Sequence, residues 1–182
     1  MTFDRDGWVT LLVCIGQAFV PVLVNQLLVK EEQLSAWYTS LKKPKLITPP
    51  PIAFAIVWSI LYLLLAVSGF LVLWLGDPNT TAMQVGFAFH SLQLLLNAAW
   101  SPLFFGAHRL WAAFIVLVAL LVLSTVAMVT CALATPWSLV GYVPYVSWLV
   151  FAAFLNAGFA IANPVEDESH KMLNNTLSES SL

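Results

Sequence analysis

The sequence predicts an all-α, polytopic membrane protein folded as a five-transmembrane-helix bundle. Three observations carry this reading. Of the 182 residues, 60 % are hydrophobic and only 9 % charged, where soluble domains carry roughly 25 % charged residues. The mean hydropathy is +0.88. Five apolar segments, each long enough to cross about 30 Å of hydrocarbon, alternate with stretches rich in Pro, Gly, Asn and charge. Their approximate bounds are 7–29, 52–75, 82–105, 110–133 and 137–162. Residues 1–165 are therefore read as one membrane domain, and 166–182 as a polar C-terminal tail.

The first span has no charged residue and holds Gln17, Pro21 and Asn25. Pro21 is expected to kink it or leave a carbonyl free, which is tolerated only where neighbours re-satisfy the backbone. The N-terminus MTFDRDGW lacks the basic run and small-residue cleavage site of a signal peptide, so this segment reads as a retained span. Residues 30–51 form the one long connection, and Trp37, Tyr38 and Leu41 in it argue for a packed lid rather than a polar linker. Pro49, Pro50 and Pro51 stiffen its exit and put proline at a helix start.

In the second span Trp58, Tyr62, Leu65 and Gly69 share a face within about 60°. Gly76-Asp77-Pro78-Asn79 is a turn by residue type. The third span places His90, Gln93, Asn97 and Trp100 within an arc of roughly 80°. The fourth is apolar all round and is expected to face lipid over much of its surface. In the fifth, Tyr145, Trp148, Ala152 and Asn156 again fall within roughly 80° of one another.

Five spans put the termini on opposite sides. Lys30, Lys42, Lys43, Lys45, Arg109 and Lys171 fall on the side of the long loop and the C-terminus, against Arg5 alone on the other. Basic residues concentrate on the cytosolic side of membrane proteins, so the long loop and C-terminus are expected to be cytosolic.

The net charge of −2 includes no basic patch of the kind that binds nucleic acid. No Asp, Glu, Lys or Arg falls within a span, which leaves no carboxylate pair or proton relay. Cys14 and Cys131 lie in apolar runs without metal-ligand spacing and read as small core residues. His90 reads as a buried, neutral, hydrogen-bonded imidazole rather than a haem ligand. Trp8, Trp37, Trp74, Trp111 and Trp137 stand near span ends, as interfacial tryptophans do. Trp148 and Asn156 lie too deep for that. An apolar pocket with a few placed polar groups is the usual form of a small-molecule site, and indole and phenol faces favour a large, planar, mostly apolar ligand.

Four groups of residues, in order along the chain, resemble the signatures of the translocator protein family, the tryptophan-rich sensory proteins once called peripheral benzodiazepine receptors. They are Trp37-Tyr38 with Leu41, Lys43-Pro44 and Pro49-Pro50; Val57-Trp58 with Leu61-Tyr62; Gln93-Leu94 with Asn97, Trp100 and Phe104-Phe105-Gly106; and Pro144-Tyr145 with Trp148, Phe151-Ala152 and Leu155-Asn156. The resemblance implies a five-helix bundle, commonly a homodimer in the lipid bilayer, with a pocket under the first loop for porphyrins and other haem-pathway tetrapyrroles, sterols and synthetic ligands. Carried over by matching position, the ligand-binding residues are Trp58, Tyr62, Asn97, Trp100, Trp148 and Ala152. Trp37, Tyr38, Pro44, Pro49 and Pro50 belong to the lid, and His90, Gln93, Tyr145, Phe151 and Asn156 to pocket lining or helix packing. Porphyrin or haem enters as ligand, with no obligatory cofactor, no metal and no assigned catalytic residue.

Ala55-Ile56 stands where the family has Gly-Pro, and Leu46 or Ile47 where it has a loop Trp. The sterol-contact pattern after Asn156 is absent, which weakens a sterol reading more than a tetrapyrrole one. The expected function is that of a receptor or transporter for such ligands. The alternatives are light- and oxygen-dependent porphyrin breakdown, with Trp37, Trp58 and Trp148 as redox indoles, or a structural membrane partner without a ligand. The family habit places animal members in the mitochondrial outer membrane and plant and bacterial members elsewhere.

Overall fold

A computed structural model of the chain describes residues 5–29, 37–44 and 48–164. The tail at 166–182 and parts of the first loop lie outside the described residues. The described chain folds into five long helices: α1 (Arg5–Leu28), α2 (Pro51–Leu75), α3 (Thr81–Ser101), α4 (Leu110–Ala134) and α5 (Leu139–Ala162). A short helical turn at 37–40 sits in the first loop.

Local chemistry sets the helix ends. Pro50 caps α2 from an extended conformation and Pro51 opens it, using prolines where the backbone N–H has no helical partner anyway. Asp77 Oδ1 accepts from the Asn79 backbone N–H at 2.9 Å, and Thr80 Oγ1 accepts from Met83 N–H at the start of α3. Pro102 cannot donate to the helix behind it, and the chain widens into a π-helical turn over Pro102–Gly106, with Ala107 N–H bonded to the Pro102 carbonyl at 2.8 Å. His108 then takes a left-handed φ of 56° before α4 begins.

Four of the helices, α1, α2, α4 and α5, are long and apolar enough to cross a membrane. The third expected span is present as α3, but its composition does not place it with these four. The reason is the polar stripe itself: His90, Gln93 and Asn97 are all buried on one face of this 21-residue helix. In α4, Leu110, Ala113, Leu117, Leu120, Ser124, Ala127 and Cys131 make a buried stripe, while Ile115, Val122, Val129 and Leu133 point outward. Such exposed aliphatic surface is stable in hydrocarbon and not in water.

The helices pack in the ring order α1, α2, α5, α4, α3, with α3 returning to α1. Two glycines permit the closest approaches. A Cβ at Gly141 would fall on the Leu64 carbonyl and the Ser68 hydroxyl; Ser68 Oγ instead donates to the Ser138 carbonyl at 2.7 Å and accepts from Gly141 N–H at 3.1 Å. A Cβ at Gly69 would stand 2.6 Å from His90 Nε2. Gly16, by contrast, has open space around it.

Overpacking a tight interface typically costs about 1–3 kcal/mol, and Gly to Ala in an open helix position gains up to about 1 kcal/mol. Gly141→Ala is therefore expected to lower the melting temperature of the detergent-solubilised protein, and Gly16→Ala to hold or raise it. Equal melting temperatures for the two variants would contradict the close approach of α2 and α5.

Candidate functional site: an aromatic cavity inside the ring

Inside the ring, on the side of the first loop, lies a cavity of about 520 Å³. Helix α2 contributes Phe54, Ala55, Trp58, Ser59 and Tyr62, α3 Asn97, Trp100 and Ser101, and the π-helical turn Phe104 and Phe105. Ala152, Leu155, Asn156 and Phe159 come from α5, Pro21, Val22 and Asn25 from α1, and Tyr38 and Thr39 from the first loop.

Trp58 is the centre of the aromatic wall. Its ring stacks on Tyr62 at 5.5 Å, lies 6.1 Å from Trp100, and meets Tyr145 and Trp148 edge-on at 6.4 Å. The i, i+4 spacing on α2 puts Trp58 and Tyr62 one above the other on one face. Trp100 continues the surface to Phe104 at 5.3 Å, and Phe104 meets Phe105 at 4.7 Å.

Behind these rings a polar chain runs across the bundle. Tyr62 Oη donates to Asn97 Oδ1 at 3.2 Å, and Asn97 Nδ2 donates to Tyr145 Oη at 2.8 Å. Tyr145 Oη donates onward to Gln93 Oε1 at 2.7 Å, which also accepts from Ser124 Oγ at 3.4 Å. The four helices α2, α3, α4 and α5 are thus joined through one relay. A second link runs from Trp100 Nε1 to Asn156 Oδ1 at 3.1 Å, while Asn156 Nδ2 reaches the Leu110 carbonyl at 2.9 Å. Ser101 Oγ donates to Asn25 Oδ1, tying α1 to the end of α3.

The expected residues stand at different depths around the cavity. Trp58, Tyr62, Asn97, Trp100, Ala152 and Asn156 line the cavity, as does Tyr38 of the loop. Trp148 does not: it stands behind Trp58, packed on Phe54 at 5.7 Å and Phe151 at 5.2 Å, with its Nε1 buried and without a partner. Gln93 and Tyr145 belong to the relay beneath the floor. His90 lies deeper still, its Nδ1 2.7 Å from Tyr142 Oη and its Nε2 covered by α2 at Gly69.

In the loop, Trp37 is half-buried, edge-on to Phe104 at 5.8 Å and stacked on His108 at 4.2 Å. Tyr38 packs on Phe159 at 5.6 Å, and burial pushes its phenol above the ordinary range. Pro44, Pro49 and Pro50 do not line the cavity. Asn163, unremarked in the sequence, clasps the loop: its Oδ1 accepts from Lys42 N–H at 2.8 Å and its Nδ2 donates to the Lys42 carbonyl at 3.0 Å. Pro21, Asn25, Ser101, Phe54 and Phe159 are further lining residues. A signal for the first two existed in the sequence, since Pro21 and Asn25 are four apart in a charge-free run and so share a helix face.

The fold and cavity define an integral membrane protein of apolar helices around an aromatic chamber. Over residues 8–161 the chain matches the model of the TspO/MBR family, and it belongs to that family. It is 43 % identical over 134 residues to Protein CrtK of Rhodobacter capsulatus, covering 72 % of this chain and 81 % of the relative. It is 32 % identical over 156 residues to the tryptophan-rich protein TspO of Chlorobaculum tepidum, covering 85 % and 96 %. With the translocator protein of Ovis aries it shares 37 % identity over 123 residues, 66 % of this chain and 70 % of that one.

Tyr145→Phe removes the oxygen that serves both Asn97 and Gln93 and leaves two buried amides short of a partner. A buried unsatisfied group costs about 1–3 kcal/mol. The variant is expected to melt at a lower temperature, with the cavity lining unaltered because Tyr145 does not belong to it. An unchanged melting temperature would show the relay to be energetically idle.

Proposed function

We propose that this protein is a five-span membrane receptor or transporter that holds tetrapyrroles, or hydrophobic molecules of similar shape such as sterols, in the cavity under its first loop. One observation carries the reading: the continuous aromatic surface of Trp58, Tyr62, Trp100, Phe104 and Phe105, broken only by single polar groups such as Asn97 and Asn156. Flat π-faces bind flat apolar ligands by stacking, and the few amides orient them. Membership of the TspO/MBR family supports it. In this reading α3 is the fifth span, its polar face turned to the cavity and relay and its Leu92 and Leu95 face turned to lipid. The basic-residue asymmetry supports a first loop and C-terminus in the cytosol, and the family resemblance supports a homodimer.

A second reading, breakdown of a bound porphyrin under light and oxygen, draws on the pair of indoles, Trp58 and Trp100, that face the cavity 6.1 Å apart. Trp37 and Trp148 lie outside the lining, so the redox role would fall to this pair. Product analysis after illumination of the porphyrin-bound protein separates the readings: unchanged porphyrin supports a receptor or transporter.

Titration of the purified protein with protoporphyrin IX, followed by tryptophan fluorescence, is expected to give saturable quenching. Ala152→Leu adds bulk inside the cavity without adding polarity. It is expected to weaken binding about tenfold, equivalent to about 1.4 kcal/mol, with the melting temperature held. Full affinity in that variant would place the ligand elsewhere. A C-terminal epitope is expected to be digested by protease added on the cytosolic side of sealed membranes; its protection would reverse the orientation.

A further inference from the structure

Deep in the bundle, outside the cavity lining, three reactive side chains from three helices meet. His90 of α3, Cys131 of α4 and Tyr142 of α5 are each fully buried. His90 Nδ1 lies 2.7 Å from Tyr142 Oη, and the Cys131 thiol donates to the same oxygen at 3.7 Å. With the thiol supplying the bond that this oxygen accepts, the phenol O–H is directed at Nδ1. His90 Nε2 is buried without a partner and covered at Gly69, so Tyr142 is the one hydrogen-bonded outlet of the imidazole.

Of the three buried tyrosines, this one differs in what receives its proton. Tyr62 donates to Asn97 Oδ1 and Tyr145 to Gln93 Oε1. An amide oxygen accepts a hydrogen bond but is far too weak a base to take the proton; an imidazole nitrogen is a base. The difference matters for oxidation. A phenol that has lost an electron is a radical cation, and holding that charge in apolar surroundings is strongly unfavourable. A buried tyrosine is therefore oxidised readily only where its proton leaves with the electron. Tyr142 meets that condition. It also connects to the cavity: Tyr145 stands one turn further along α5 and meets Trp58, a lining residue, edge-on at 6.4 Å.

We propose that Tyr142 and His90 form a redox pair that receives oxidising equivalents from the cavity wall. This rests on the reading of the cavity as a site for flat conjugated molecules. Trp58 gives an electron to the light-excited ligand, from which it passes to dioxygen, leaving superoxide and an indole radical cation. Tyr142 then returns an electron to Trp58 across Tyr145, while its phenol proton moves to His90 Nδ1. The sum turns phenol, imidazole and dioxygen into tyrosyl radical, imidazolium and superoxide, with indole and ligand restored. The pair thereby draws oxidative damage away from Trp58.

The test uses the full chain in detergent, loaded with protoporphyrin IX under air, illuminated, frozen and read by electron paramagnetic resonance. Ring-deuterated tyrosine identifies a tyrosyl signal by its narrowing. In a parallel sample without porphyrin, ultraviolet light ionises the indoles directly. The wild type is expected to show a tyrosyl radical in both samples, coupled to a nitrogen of isotopically labelled histidine. That coupling is read without any substitution. Tyr142→Phe is expected to lose the radical and to accumulate oxidised Trp58 by mass spectrometry. His90→Gln, which keeps a hydrogen-bonding group but no base, is expected to lose it as well. No tyrosyl radical in the wild type, one without histidine coupling, or one that survives Tyr142→Phe overturns the pair and leaves the cavity as the ligand site. A radical confined to the ultraviolet sample of porphyrin-loaded protein overturns the step from the ligand. Failure of porphyrin to quench tryptophan fluorescence in the dark overturns the proposed function instead, and the ultraviolet sample then decides the pair by itself.

Discussion

The structure depends on the need of a polar side chain in hydrocarbon to find a partner within the protein. Asn97 meets it with two tyrosines, accepting from Tyr62 and donating to Tyr145, and Gln93 extends the line to Ser124. Helices in a bilayer gain little from hiding apolar surface from one another, because lipid tails are equally apolar. Close packing at Gly141 and directional bonds through the amides supply what the hydrophobic effect does not. The same relay holds the floor of the cavity, so helix association and site geometry share their residues.

This sharing dissolves the choice between amides as interhelical glue and amides as pocket lining. Asn97 is both: it faces the cavity, yet both ends of its amide are bonded to other helices. Asn156 behaves likewise, bridging Trp100 to the backbone at the start of α4 while its flank contributes to the wall. A ligand that hydrogen-bonds to either must share an atom that already has a partner, which favours stacking as the main attraction and leaves the amides to set orientation.

Much of the helical pattern was legible because its causes are local. Long apolar runs, prolines at helix starts and the Asp77 turn depend on neighbours in sequence. The stripe on α3 was legible too, since His90, Gln93 and Asn97 repeat at helical spacing and are buried together. What remained hidden came from the ring order. Nothing in the spacing of Trp148 distinguishes a side chain that faces the cavity from one that backs Trp58, because a small difference in helix rotation decides it. The contribution of α1 through Pro21 and Asn25 depends on α1 lying beside both α2 and α3. The clasp of Asn163 depends on two segments far apart in the chain. The π-helical turn follows from Pro102, but the aim it gives Phe104 and Phe105 does not.

That clasp joins residues separated by 121 positions. Contacts between distant parts of a chain form only after the entropy of closing the intervening loop has been overcome. The carboxamide of Asn163 emerges from synthesis after every helix in the ring, so the first loop must wait for the last helix before its backbone at Lys42 is held. Until then the chamber has walls without this fastening. The bond between the two segments can therefore form only once the chain has been made through the end of α5.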